Sequence, residues 1–317
     1  MPETAPLSHP ADLAPTQVAG MIAMCSAMGL LPIGDSIAKI LTGIAAPFDV
    51  TAWRTIVQAL CFLIVLIVIR RKLRGPLFSW HTLASGALVA VASVSLITAF
   101  QTMPIATAIA IFFIEPLLLT LLCGPFLGEK PGPRRYIAVA VGLLGALIVI
   151  RPNFAIFGPV VLLPALGALA YALNMIVVRK ATRTRSAMSF QIGAAFCGGG
   201  IFVLALSVTT LMGRNPTSFV EMPVWVWIAV AVSGALGAVT FLLITLAFSK
   251  AEASLLAPFQ YLEIFGATIV GYLIFGDFPD ALTILGTSII LASGIYVFYR
   301  ERKVGAKPRK IRARADR

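Results

Sequence analysis

Ten apolar runs follow one another through this chain, with short polar turns between them: 18–42, 51–69, 82–101, 105–123, 134–151, 158–179, 188–211, 224–248, 253–275 and 281–299. A run of roughly twenty apolar residues matches the hydrocarbon thickness of a bilayer. Backbone polar groups in lipid must find their partners inside the segment, so runs of this length are expected to be helices. Barrel strands would be shorter and would alternate apolar with polar residues. The composition agrees. Of 317 residues, 59% are apolar and 12% are charged, where a soluble domain carries roughly 25% charge. Mean hydropathy is +0.95. The expected fold class is an all-α integral membrane protein with ten transmembrane helices.

The basic residues give an orientation. With the N-terminus in the cytoplasm, the inward segments are RRKLR at 70–74, EKPGPRR at 129–135, RKATRTR at 179–185, Lys250 and the C-terminal tail. They hold 21 of the 25 Lys and Arg, and the outward loops hold two, Arg151 and Arg214. This is a positive-inside loading, and it requires an even number of spans to bring the tail back inside. Residues 1–17 carry no Lys or Arg and read as a disordered cytoplasmic tail rather than a signal peptide. Residues 301–317, ERKVGAKPRKIRARADR, read as a basic juxtamembrane anchor for anionic lipid rather than a nucleic-acid arm.

Two turns repeat. LGEKP at 127–131 and FGDFP at 275–279 lie 148 residues apart, each after an apolar run. At the same offset AFQTMPIATAIAIFFIEP (99–116) meets AFSKAEASLLAPFQYLEI (247–264), so that Glu115 falls on Glu263 and Glu129 on Asp277. One five-helix unit is written twice, over 18–152 and 158–300. Because five is odd, the second copy enters the membrane inverted. Inverted repeats of this kind recur in secondary transporters, with the substrate site near the midplane.

On these residues the chain resembles the drug/metabolite transporter superfamily and, within it, the EamA-type ten-helix transporters. The matching stretches are MPIATAIAIFFIEPLLLTLLCGPFLGE (103–129), RRYIAVAVGLLGALIVIRP (134–152), GALAYALNMIVVRK (167–180) and the segment from Ala247 to Asp277. The resemblance implies a central cavity lined mainly by helices 1, 3, 4, 6, 8 and 9, with helices 5 and 10 at the back of each repeat. Members carry amino acids, nucleobase derivatives, vitamins, S-adenosylmethionine and drugs. FFIEPLLLTLL resembles members that take up riboflavin or S-adenosylmethionine. The second copy departs from the pattern at Asp277, where the family usually has Glu, and at Ile264, opposite Pro116.

Few ionisable residues lie within the spans, where each costs roughly 2.5–3.5 kcal/mol at the centre and commonly marks a substrate or ion path. Glu115 and Glu263 are expected mid-span. A carboxyl out of water favours its protonated form, which suits proton coupling or recognition of a cation. Gln101, Tyr171, Asn174, Gln260 and Tyr261, with Phe112 and Phe113, could complete a substrate site, since rings stack on flat ligands and cover cations. Pro116 and Pro258 are expected to kink the helices beside the glutamates. Asp35 and Lys39, four apart near the outer end of helix 1, are expected to pair. Arg54 could join them as an ion pair or outer gate. Gly142, Gly145 and Gly198 to Gly200 read as helix-packing positions.

No ATP-binding GxxxxGK[ST] is present, nor HExxH or GxSxG. Cys25, Cys61, Cys123 and Cys197 lack metal or redox spacing, and His9 and His81 stand alone. No cofactor, metal or catalytic residue is expected. The reading is a secondary transporter of a small organic metabolite in a bacterial inner membrane, with both termini cytoplasmic, as a monomer or homodimer. Export of drugs or amino acids is the alternative, and a membrane-embedded enzyme is the alternative of another class.

Overall fold

Each apolar run becomes helix. The computed structural model describes residues 15–70, 73–128, 132–182, 185–213, 222–251 and 253–305. Most of the N-terminal tail, Glu129 of the first repeated turn, Arg214 and the C-terminal tail from 306 onward lie outside these. The elements are α1 (Pro15–Thr42), α2 (Pro47–Ile69), α3 (Trp80–Thr102), α4 (Ile105–Phe112), α5 (Glu115–Leu127) and α6 (Pro133–Phe157). A 3-10 turn (Gly158–Val161) leads on to α7 (Leu162–Ala181), α8 (Ala187–Leu211), α9 (Val224–Lys250), α10 (Ala253–Gln260), α11 (Leu262–Phe275) and α12 (Ala281–Gly305). Eight helical stretches of the described residues are long and apolar enough to cross a bilayer. One of them is the 49-residue run Pro133–Ala181. The outward faces are as apolar as the interior: Leu60, Ile64, Ile67 and Val68 on α2 are all exposed, which a water-facing helix would not tolerate. The chain is an all-helical, multi-pass integral membrane protein.

Local chemistry sets the helix ends. Ser79 and Thr82 form a reciprocal capping box on α3. Ser186 Oγ accepts from Ser189 N at 3.2 Å on α8. Pro47 and Pro133 open α2 and α6, where a missing N–H costs nothing. Gly128 and Gly276 close α5 and α11 in the left-handed conformation, at φ 69° and 71°. Their N–H groups turn back to Cys123 O and Gly124 O in one case and Gly271 O and Tyr272 O in the other. A side chain at either position would be strained. Arg151, read from sequence as a loop residue, stands inside α6. That helix runs on past Pro152 to Phe157, held by Asn153 Nδ2, which donates to Val149 O (2.6 Å) and Thr283 Oγ1 (3.3 Å).

The helices pack in pairs that reach across the sequence: α1 on α9, α6 on α12, α3 on α7 and α8, α2 on α8 and α9, and α4 on α11. The α6–α12 seam is built from small residues. A Cβ on Gly286 would lie 2.6 Å from Gly145 O, and a Cβ on Gly145 would lie 2.9 Å from Gly286 O. Ser293 Oγ donates to Ala138 O across the same seam. Gly200, by contrast, faces open space. Gly145→Leu should therefore destabilise the fold by about 1–3 kcal/mol through overpacking, lowering the thermal midpoint in detergent. Gly200→Leu should leave it unchanged, and equal midpoints for the two variants would refute this account of the seam.

The two faces of the bundle are tied differently. On one, Ser186 N donates to Arg74 O (3.1 Å) and Arg185 Nη1 to Pro76 O (3.1 Å), joining the basic loops that follow α2 and α7. On the other, the end of α1 meets the α3–α4 junction, where Gln101 Nε2 donates to Thr42 O at 3.1 Å.

Candidate functional site at two broken helices

Two of the apolar runs are not continuous helices. α4 ends at Phe112, Phe113 and Ile114 form a turn, and α5 starts at Glu115. Pro116, at the second position of α5, has no N–H to offer Phe112 O, so the ladder cannot continue through it. α10 ends at Gln260, Tyr261 is the junction, and Glu263 sits in the first turn of α11. Pro258 lies within α10, ahead of the break. Ile114 and Tyr261 keep right-handed helical dihedrals, so the expected proline kinks take the form of local gaps in the hydrogen-bond ladder. Each glutamate stands in the first turn beyond its gap, where the helix dipole favours negative charge.

The breaks meet. The rings of Phe113 and Tyr261 are 5.4 Å apart between centroids, inclined at 41°. Phe112 stacks on Tyr171 of α7 at 5.8 Å. Tyr171 lies in the electrostatic field of both Glu115 and Glu263. Arg179, two turns further along α7, acts on Glu115, and Asp35 acts on Glu263. Glu115 Oε1 is buried with no hydrogen-bond partner among the described residues. An unpaired buried carboxyl oxygen costs free energy unless a proton, water or ligand donor satisfies it. Among the described residues no His, Cys, Asp or Glu cluster has metal-binding form.

Not every expected residue joins this cluster. Asn174 is buried, and its Oδ1 accepts from Ser85 Oγ at 2.6 Å, fastening α7 to α3. Gln101 caps the end of α1 at Thr42 O, on the bundle face. Gln260 is half-buried beside Tyr261. The ion pairing also differs from the expected Asp35–Lys39 contact within α1. Arg54 Nη1 meets Asp35 Oδ1 at 3.2 Å. Lys39 Nζ instead reaches Asp277 Oδ2 at 2.7 Å, donates to Met103 O at 3.3 Å and lies 4.5 Å over the Phe275 ring. The reason is geometric: a lysine at the end of a helix can stretch beyond it, and α11 delivers a carboxylate there just after its glycine cap. Arg179 was counted from sequence only as a loop base. The signal that could have singled it out is its place inside the apolar run, ahead of Lys180.

With this geometry described, likeness to known proteins can be stated. The sequence profile of the EamA-like transporter family matches residues 17–151 and again 158–299. The S-adenosylmethionine uptake transporter of Rickettsia felis is 29% identical over 200 residues, 63% of this chain and 65% of that protein. The chain thus spans a little under two thirds of that relative's length. The riboflavin transporter of Brucella anthropi is 27% identical over 283 residues, 89% of this chain and 98% of that protein. A protein crystal structure, at 15% identity, superposes with a TM-score of 0.58 over 91% of this chain and 98% of its own, a likeness of fold. With both halves matched by one profile, this chain belongs to the EamA-like transporter family.

Proposed function

We propose that the chain is a secondary transporter that moves a small organic metabolite by alternating access, with Glu115, Glu263, Tyr171, Tyr261 and Gln260 facing the solute or a coupling proton. One observation carries the reading. The interruptions of two helices touch through Phe113 and Tyr261, and each has a glutamate two residues beyond it. Broken helices with their ends turned inward are the usual device for binding in the membrane midplane. Two acids among paired rings suit a cationic, zwitterionic or flat aromatic solute. The names of the relatives, S-adenosylmethionine uptake and riboflavin transporters, favour uptake of a solute of that kind.

The ten-span, inverted-repeat reading has independent support. Counting α4–α5 and α10–α11 as one span each, and α6 and α7 as two, gives ten. The Gly128 and Gly276 caps bond back to residues that are also 148 apart. Lys39 touches both Met103, where α4 begins, and Asp277, where α11 ends. The two broken spans therefore run in opposite directions. The joined basic loops at Arg74 and Ser186 support a cytoplasmic assignment for that face, which leaves Lys39 outside.

Lys39 is then an outer lock between the halves. The pair is partly exposed, at 16% and 31%, so it is worth at most about 1 kcal/mol, or about fivefold in the closed population. Lys39→Gln should speed labelling of a Met103→Cys thiol by an impermeant maleimide to that extent. An unchanged rate removes the lock. The function itself is tested in proteoliposomes with labelled S-adenosylmethionine and riboflavin, with and without a proton gradient. Saturable accumulation of either supports the reading. Loss of solute to the medium from expressing cells indicates an exporter, and a new chemical species an enzyme.

A further inference from the structure

A groove of about 450 Å³ opens on the outer face of the bundle, between α6 and α12. Its walls are Ile137 and Val141 from α6 and Ala292 and Tyr296 from α12, and Arg134 stands at one end. The floor polar group, Ser293 Oγ, is already satisfied by Ala138 O. The groove thus offers a lipid-facing apolar trough and one cationic end.

The two helices run antiparallel. Asn153 meets Thr283, Gly145 meets Gly286, and Ala138 meets Ser293. Continuing that register brings Arg134 level with the stretch after Tyr296, where the sequence reads Arg300, Glu301, Arg302 and Lys303, a net positive run. From Ile289 to Tyr296 the trough runs along about two turns of α12, roughly 10 Å, enough to take part of an acyl chain beneath a headgroup.

We propose that this groove is a binding site for one anionic phospholipid, with its phosphate on Arg134 and an acyl chain along Val141 and Ala292. The site requires only a membrane and is independent of what the chain transports. Charge decides the occupant. Among the described lining residues none is a carboxylate and Arg134 is the one charge, so an anionic headgroup gains more there than a zwitterionic one. A second copy related by a two-fold axis along the membrane normal would bring another Arg134 to the same depth, and like charges would oppose it. The lipid would wedge a seam that joins the two halves of the chain, where glycine and serine bring the helices into close contact.

The test uses the full chain in detergent, titrated with phosphatidylglycerol or with phosphatidylcholine of the same acyl chains, with retained lipid counted by native mass spectrometry. The expected result is one phosphatidylglycerol per chain, held more tightly than phosphatidylcholine. Arg134→Gln should weaken it about fivefold, the worth of one basic residue at an anionic surface, and Arg134→Lys should restore it. Ala292→Trp should fill the groove and remove the bound lipid. Unchanged circular dichroism and thermal midpoints identify these losses as local. Equal retention of the two lipids overturns the proposal, as does an Arg134→Gln variant that binds like the parent. A dimer that disperses on Ala292→Trp also overturns it and gives the groove to a second copy.

Discussion

Arg54→Ala should destabilise the protein by about 3–5 kcal/mol, the range for a buried ion pair stripped of one partner. Arg54 and Asp35 are 14% and 12% exposed, so little solvent is at hand to replace the guanidinium. The arginine also stands where three helices meet. A Cβ on Gly34 of α1 would lie 3.3 Å from its Nη2, and one on Gly234 of α9 would lie 2.7 Å from its carbonyl. Ser233 Oγ of α9 donates to Gly34 O at 3.1 Å in the same place. Removing both charges, as Asp35→Asn with Arg54→Met, should recover most of the loss, since a buried pair contributes little net stability while an orphaned member is costly. Thermal midpoints in detergent measure both. If the double variant were no more stable than Arg54→Ala, shape rather than charge would be the cause.

Glu263→Gln should leave the fold intact and slow gradient-driven transport about ten- to a hundredfold. The amide keeps the shape but cannot ionise, and a charge-assisted bond is worth about 1.5–3 kcal/mol, with 1.4 kcal/mol for each factor of ten. Counterflow exchange, which needs no net proton movement, should suffer less than accumulation if the residue carries the coupling proton. An equal loss in both assays assigns Glu263 to the solute instead. Normal proton-driven uptake would falsify both roles. Glu115→Gln makes the comparison, since its Oε1 has no partner among the described residues. A solute contact there should appear in KM, and a proton relay in the gradient dependence.

The elements were legible because the bilayer imposes a length on each of them, and the turns that end them carry glycine and proline. Gly128 and Gly276 could be read from their repeated context, and they adopt the same left-handed cap. The helix interruptions were half legible. Pro116 and Pro258 flagged the neighbourhood, but a removed N–H says only that a bond is missing, not whether the helix bends or starts again. Partner choice was not legible. The four-residue spacing of Asp35 and Lys39 describes one isolated helix, whereas Lys39 answers to Asp277, 238 residues away. Asn174 and Gln101 show the same limit from the polar side. Each looked free to meet a solute, and each is already bonded, to Ser85 and to Thr42 O. Buried amides are usually satisfied by a neighbour, and only the packing says which one.

A Cβ added at Gly294 would fall on the Tyr261 hydroxyl. The phenol of one break is therefore seated in a socket that α12 leaves open by having no side chain there. Counting back 148 residues, Tyr261 becomes Phe113 and Gly294 becomes Ala146. The first half lacks the oxygen and carries a methyl group in its stead, both residues lying in one buried cluster. The two matched halves thus place one heavy atom differently, on the ring in one and on the helix in the other, keeping volume while differing in chemistry. Only one of the two rings in contact carries a hydroxyl, and it is turned toward α12.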